Sequence, residues 1–191
     1  MTGIDVKAFE YVMGKIDDGN LFERFASEYL SQILSYNFNP VGGLKDRGID
    51  GLEHRFTRNG FNRYIYQTSI EKNCFNKLEQ TIEKLLNNKI EFDRIIFVTN
   101  QVFPNKDNAI DVLYEKYQKG VQIYDLPWLS SKINHSEGTI RVFHVFVDSH
   151  MHQFSKPGKS YEISNLRLLK KSFRDFQFFH AGFFKIRLLF L

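Results

Sequence analysis

The chain has 191 residues, 42% hydrophobic and 25% charged, enough for one domain with a sizeable core. A single cysteine, Cys74, excludes an internal disulfide and fits a reducing compartment, while the charged N-terminus and the lack of any long apolar run argue against a signal peptide or a membrane span, so a cytoplasmic protein is expected. The net charge of +4 is uneven: eight basic and two acidic side chains lie between Lys156 and Leu191, and the other 18 bases and 20 acids leave the body of the chain near neutral, without a broad electrostatic footprint for nucleic acid.

A short helix is expected over Asp5 to Lys15, broken by Asp17-Asp18-Gly19-Asn20. A second helix then runs to about Ser35, with Asn20 as cap and Glu23 three residues later completing a capping box. Phe22, Phe25, Ala26, Tyr29 and Ile33 form its apolar stripe. Glu23 borders that stripe, and Glu28 points away from it. After Phe38-Asn39-Pro40 come Gly42-Gly43, Gly48 and Gly51, the punctuation of a sharply bending loop. Asp50 leads into a strand, LEHRFT, and Asn59-Gly60 signals a hairpin. The return strand, Arg63 to Ile70, places Gln67 and Ser69 on one face and Tyr66 and Thr68 on the other. The hairpin can therefore bring the oxygen-bearing side chains of Asp50, Gln67 and Ser69 together.

Apolar residues at helical spacing predict a helix from about Asn73 to Asn88. The continuous apolar run from Arg94 to Asn100 suits a strand buried on both faces. A helix from about Asn108 to Lys119, capped by Gly120, a strand over Val121 to Asp125 and a short helix opening at Pro127-Trp128-Leu129 follow. This alternation predicts an α/β fold, layered around a mixed central sheet. Thr139 to Met151 reads as a helix or a strand, with composition favouring the strand. Ser155 to Ser160 is a break, and its Gly-Lys-Ser lacks the upstream glycine and leading strand of a phosphate-binding loop. Two regions are expected: a domain over 1–154 and a basic, Phe-rich tail over 155–191.

Gly48-Ile49-Asp50-Gly51, the hairpin and Gln67-Thr68-Ser69, followed by a Lys-rich helix, resemble the PD-(D/E)XK nuclease superfamily and, within it, the Mrr-type restriction endonucleases. The resemblance covers roughly the first two thirds of the chain. The family carries Gln-x-Lys or Glu-x-Lys on the return strand, and Ser69 stands where the lysine belongs. The resemblance implies a three-layer restriction-endonuclease-like fold and Mg2+- or Mn2+-dependent cleavage of double-stranded DNA in restriction or phage defence. It also implies a homodimer, since cutting both strands takes two sites, and association with a further regulatory domain, which the tail would join.

The implied metal ligands are Asp50, Gln67 through its amide oxygen, the main-chain oxygen of Thr68 and, from the preceding helix, Glu23. Hard oxygen donors of this kind suit Mg2+. A serine at position 69 supplies no positive charge, so Lys72, one turn on if a helix opens at Ser69 or Ile70, is the candidate replacement, with Lys77 behind it. Phosphate contacts are assigned to Lys45, Arg47 and Arg55, within a patch that includes His54, Arg58 and Arg63. Each assignment has a plainer reading: turn former for Asp50, helix cap for Glu23, solvated residue for Lys72. His144, His150 and His152 lack partners at zinc spacing, and no histidine is placed to activate Cys74. Besides an active nuclease, the sequence allows a catalytically silent relative that binds nucleic acid or a protein partner, and a plain interaction module.

Overall fold

The computed structural model describes residues 3–34, 38–40, 50–57 and 60–150. Five strands form one sheet in the order β1 (Phe38–Pro40), β2 (Gly51–Thr57), β3 (Gly60–Ser69), β4 (Arg94–Thr99) and β5 (Gly120–Tyr124). The first three are antiparallel neighbours, whereas β3, β4 and β5 run parallel. The parallel half needs crossovers, which α3 (Cys74–Asn87) and α4 (Lys106–Tyr117) supply. Both pack on one face, where Leu78, Ile82, Leu85, Ala109 and Leu113 meet Ile65, Ile95, Phe97 and Ile123. The other face carries α1 (Val6–Met13), α2 (Gly19–Ser31), α5 (Leu126–Lys132) and α6 (Glu137–His150) over Tyr64, Tyr66, Ile96, Val98 and Tyr124. The mixed sheet between two helical layers is the architecture the alternation of elements predicts. Among the described residues no helix is long and apolar enough to cross a membrane.

Local chemistry departs from the expected boundaries at several points. Asp18, not Asn20, caps α2: it sits in extended geometry and its Oδ1 accepts from the main-chain nitrogens of Asn20 (2.9 Å) and Leu21 (3.3 Å). Asn20 lies inside the helix, so Glu23 is not part of a capping box. The left-handed residue ending α4 is Gln118 (φ 53°), while Gly120 already belongs to β5. Thr57 pairs with Gly60, so Gly60 is strand; residues 58–59 lie outside the described residues.

Residues 139–150 are helical, within α6, despite their valines; Met151 lies outside the described residues. Ser136 and Thr139 exchange reciprocal bonds, each hydroxyl accepting from the other's main-chain nitrogen (3.1 and 3.2 Å). Burial then recurs at Thr139, Ile140, Val142, Phe143, Phe146 and Val147, spacing that presents one helical face to the core. Tertiary packing overrides the strand preference of the side chains.

Candidate active site

Asp50 lies one residue ahead of β2, where pairing with β3 begins at Gly51 and Tyr66, and its own nitrogen donates to the Tyr66 carbonyl (3.0 Å). The side chain is buried, at 8% exposure. Its Oδ2 accepts three hydrogen bonds: from the Thr68 nitrogen (2.6 Å), the Thr68 hydroxyl (2.7 Å) and the Gln67 amide (2.8 Å). The same Gln67 nitrogen lies 3.3 Å from the Thr68 carbonyl oxygen, to which it also donates. Both of its partners are acceptors, so without a cation the amide presents its nitrogen to them.

The convergence is thus Asp50 with Gln67 and Thr68, not with Gln67 and Ser69. Alternation along β3 assigns Thr68 to the opposite face, but Asp50 stands at the end of the sheet, beyond the ladder, and reaches Thr68 through its main chain and hydroxyl together. Ser69 is buried, and its Oγ accepts from the Glu71 nitrogen (3.1 Å), closing a local turn after β3.

Lys72 does not lie one helical turn beyond the strand. A link of four residues separates Ser69 from Cys74, where α3 opens under an Asn73 cap, and Lys72 is exposed on it. The cation that turns back toward this link is Lys77, whose ammonium pairs with Glu71 at 2.7 Å. Glu23 is half-buried beside Phe22 and Leu21 of the core. The turn ahead of α2 is bonded to the residue after β4: the Asn100 amide donates to the carbonyls of Met13 (2.9 Å) and Ile16 (3.3 Å). The link that leads into α2 is thus tied to the end of the sheet at which β3 and β4 both stop. Arg63 lies four residues back along β3, roughly 13 Å from Gln67, with its main-chain nitrogen bonded to Asp93 (2.7 Å); the structure does not gather it with the end of β3. Lys45 and Arg47 lie outside the described residues, as do the side chain of Arg55, His152 and the 155–191 tail.

Among the described residues no three His, Cys, Asp or Glu side chains gather as metal ligands. A cation at Asp50 would be held by that carboxylate together with neutral oxygens, the Thr68 carbonyl and, after a half-turn of its amide, Gln67 Oε1. That set is all hard oxygen, which fits Mg2+ or Mn2+ and not a thiolate-seeking metal.

Two features of this end of the sheet escaped the sequence reading. Glu53, on β2, is 1% exposed and accepts from the Tyr66 hydroxyl at 2.7 Å; β2 reads Gly-Leu-Glu-His-Arg-Phe-Thr, and its local pattern does not mark this acid as buried. Asp125 is equally buried and gathers the Lys106 ammonium (2.9 Å) and the nitrogens of Trp128 (3.2 Å) and Phe103 (3.3 Å). Elsewhere, burial raises the Cys74 pKa, its largest cause, and lowers that of His144. His150 contacts the Phe146 carbonyl one turn back (3.0 Å).

No family model and no curated protein matches the chain. Solved structures do. The restriction endonuclease MspJI in complex with a 27-mer oligonucleotide aligns over 85% of this chain and 39% of its own, with 13% identity and a TM-score of 0.51. The restriction endonuclease FokI bound to DNA aligns over 75% of this chain and 28% of its own, with 11% identity and a TM-score of 0.45. The chain thus spans well under half the length of either neighbour. The fold is α/β and restriction-endonuclease-like, an assignment that stands on the MspJI alignment and on the mixed sheet between helical layers.

Proposed function

We propose that this chain is a metal-dependent DNA endonuclease of the Mrr-like type within the PD-(D/E)XK superfamily, hydrolysing phosphodiester bonds of double-stranded DNA in restriction or phage defence. The observation that carries the reading is the meeting of Asp50, Gln67 and Thr68 at the end of β3. The Gln67 amide nitrogen bridges Asp50 Oδ2 and the Thr68 carbonyl at 2.8 and 3.3 Å. A half-turn of that amide presents Oε1 in place of the nitrogen, so that three oxygens face one point. Glu23, from the first turns of α2, is the fourth ligand in this reading. When bound, a divalent cation polarises the phosphoryl oxygen and makes hydroxide available near neutral pH. Thr68 orients the Asp50 carboxylate through two short hydrogen bonds. Lys72 or Lys77 supplies the positive charge that Ser69 does not, and Lys45, Arg47 and Arg55 contact the DNA backbone.

The oligonucleotide carried by MspJI supports DNA as partner. Cutting both strands calls for two copies, and association with a further regulatory domain is part of the same proposal. The test is nicking of supercoiled plasmid: cleavage in Mg2+ or Mn2+, none in EDTA, and none with Asp50→Ala. Cleavage by Asp50→Ala at the parent rate overturns the assignment.

The second reading is a nuclease-fold domain without catalysis that binds nucleic acid or a protein partner. Ser69 favours it, its hydroxyl being engaged with the Glu71 nitrogen, as does the exposed position of Lys72. Under that reading no condition yields nicking, while DNA binding persists with a steep salt dependence.

A further inference from the structure

Two side-chain amides after β4, Asn100 and Gln101, take no part in the ligand set proposed above, yet they tie the segment that leads into α2 to the end of β3. Asn100 is 2% exposed. Its nitrogen donates to the carbonyls of Met13 (2.9 Å), which also accepts from the Ile16 nitrogen, and Ile16 (3.3 Å), in the turn that follows α1. Its oxygen accepts from the Gln101 side-chain nitrogen (2.8 Å), which also donates to the Ile70 carbonyl (3.2 Å). The main chain of Gln101 is fixed as well: its nitrogen donates to the Thr99 hydroxyl (3.2 Å) and its carbonyl accepts from Leu126 (3.0 Å).

These contacts decide where two elements begin and end. Ile16 lies two residues ahead of the Asp18 cap, so Asn100 sets the starting point of α2, and Glu23 follows within its second turn. Ile70 follows Ser69 directly, so Gln101 sets where β3 stops, immediately after Gln67 and Thr68. Apolar contacts alone tolerate sliding of helices and strands past one another, whereas a satisfied buried amide pair admits one arrangement.

We propose that Asn100 and Gln101 are positioning residues of the metal site, a clamp that sets the Glu23 carboxylate and the end of β3 at the separation one divalent cation requires. The inference rests on the ligand reading given above. Outer partners of this kind change metal affinity by about 10- to 100-fold when removed.

The experiment measures Mn2+ binding by the full chain without DNA, from the electron paramagnetic resonance signal of free Mn2+, beside the folded fraction from circular dichroism. Gln101→Glu keeps the shape and removes the donor to Ile70 and Asn100; Asn100→Asp removes the donor to Met13 and Ile16. Leu113→Ala, in the core under α4, is the control that loosens the fold away from the clamp. The expected result is Mn2+ binding weakened about 10-fold or more per folded molecule in the amide variants, and within about twofold of the parent in Leu113→Ala. Should Asn100→Asp fail to fold, Gln101→Glu alone decides. Parent-like binding by the amide variants, with binding lost in Asp50→Ala, overturns the clamp and leaves the ligand set standing. Parent-like binding by Asp50→Ala itself overturns both.

Discussion

Replacing Asp50 by alanine tests the local geometry separately from catalysis. The substitution removes the one acceptor shared by the Thr68 nitrogen, the Thr68 hydroxyl and the Gln67 amide. Hydrogen bonds to a charged acceptor contribute about 1.5–3 kcal/mol each. Gln67 and Thr68 are half-buried, so water recovers much of what their side chains lose, and the variant is also spared the cost of burying a carboxylate. The net cost is about 2–3 kcal/mol, with about 1 kcal/mol for Asp50→Asn, which keeps an acceptor oxygen. Urea unfolding in EDTA, followed by the fluorescence of the single tryptophan, Trp128, measures it. Saturating Mg2+ should then widen the gap, since a ligand at 100 times its dissociation constant stabilises the parent by about 2.7 kcal/mol and the variant not at all. An Asp50→Ala protein as stable in EDTA as the parent refutes the hydrogen-bond reasoning. A gap unchanged by Mg2+ refutes the ligand role.

Asp125→Ala removes the α5 cap and strands the Lys106 ammonium, and should cost about 2–4 kcal/mol in the same assay; Asp125→Asn, which keeps the acceptor for Trp128, should cost less. Burial depresses the His144 pKa below its ordinary 6.5, so the folded chain holds the neutral ring while the unfolded chain takes up a proton first. The associated stability is present above pH 6.5 and is lost as pH falls through the folded value, a loss that His144→Gln should abolish in a pH series of urea midpoints. Lys72→Ala should eliminate plasmid nicking with an unchanged circular dichroism spectrum if Lys72 replaces the missing lysine; full nicking would transfer that role to Lys77, for which Lys77→Ala is the matching test.

The parallel half of the sheet was legible because its signals are local. β4 is apolar from Ile95 to Val98 and buried from Ile95 to Thr99; α3 repeats apolar residues at helical spacing and carries an Asn73 cap that bonds Asn76. α6 was not, because its valines and isoleucine favour a strand until the core it covers is known. The α2 start was misplaced because Asp18 and Asn20 are both good caps, and only the extended backbone at Asp18 decides between them. The pairing of Asp50 with Gln67 followed from the hairpin, but the amide clamp did not, since Asn100 reaches Met13 across 87 positions and Gln101 reaches Ile70 across 31.

The exchange of Thr68 for Ser69 beside Asp50 has a geometric cause that bears on the chemistry. A carboxylate lying on one face of a sheet meets every second residue of its neighbour. Asp50 meets two consecutive ones, Gln67 and Thr68, whose side chains leave β3 on opposite faces, and it meets the main chain of the second. Only a group beyond the last ladder pair can do this, so the candidate site is set by where the strands stop. That stopping point is a register: Gly51 opposite Tyr66 on one side of β3, Thr68 opposite Val98 on the other. A slip of one residue would exchange the faces of Leu52 and Glu53 and part Glu53 from the Tyr66 hydroxyl, which is how the two cores, through Tyr66 on one side and Ile65 on the other, hold the carboxylate at the end of β3.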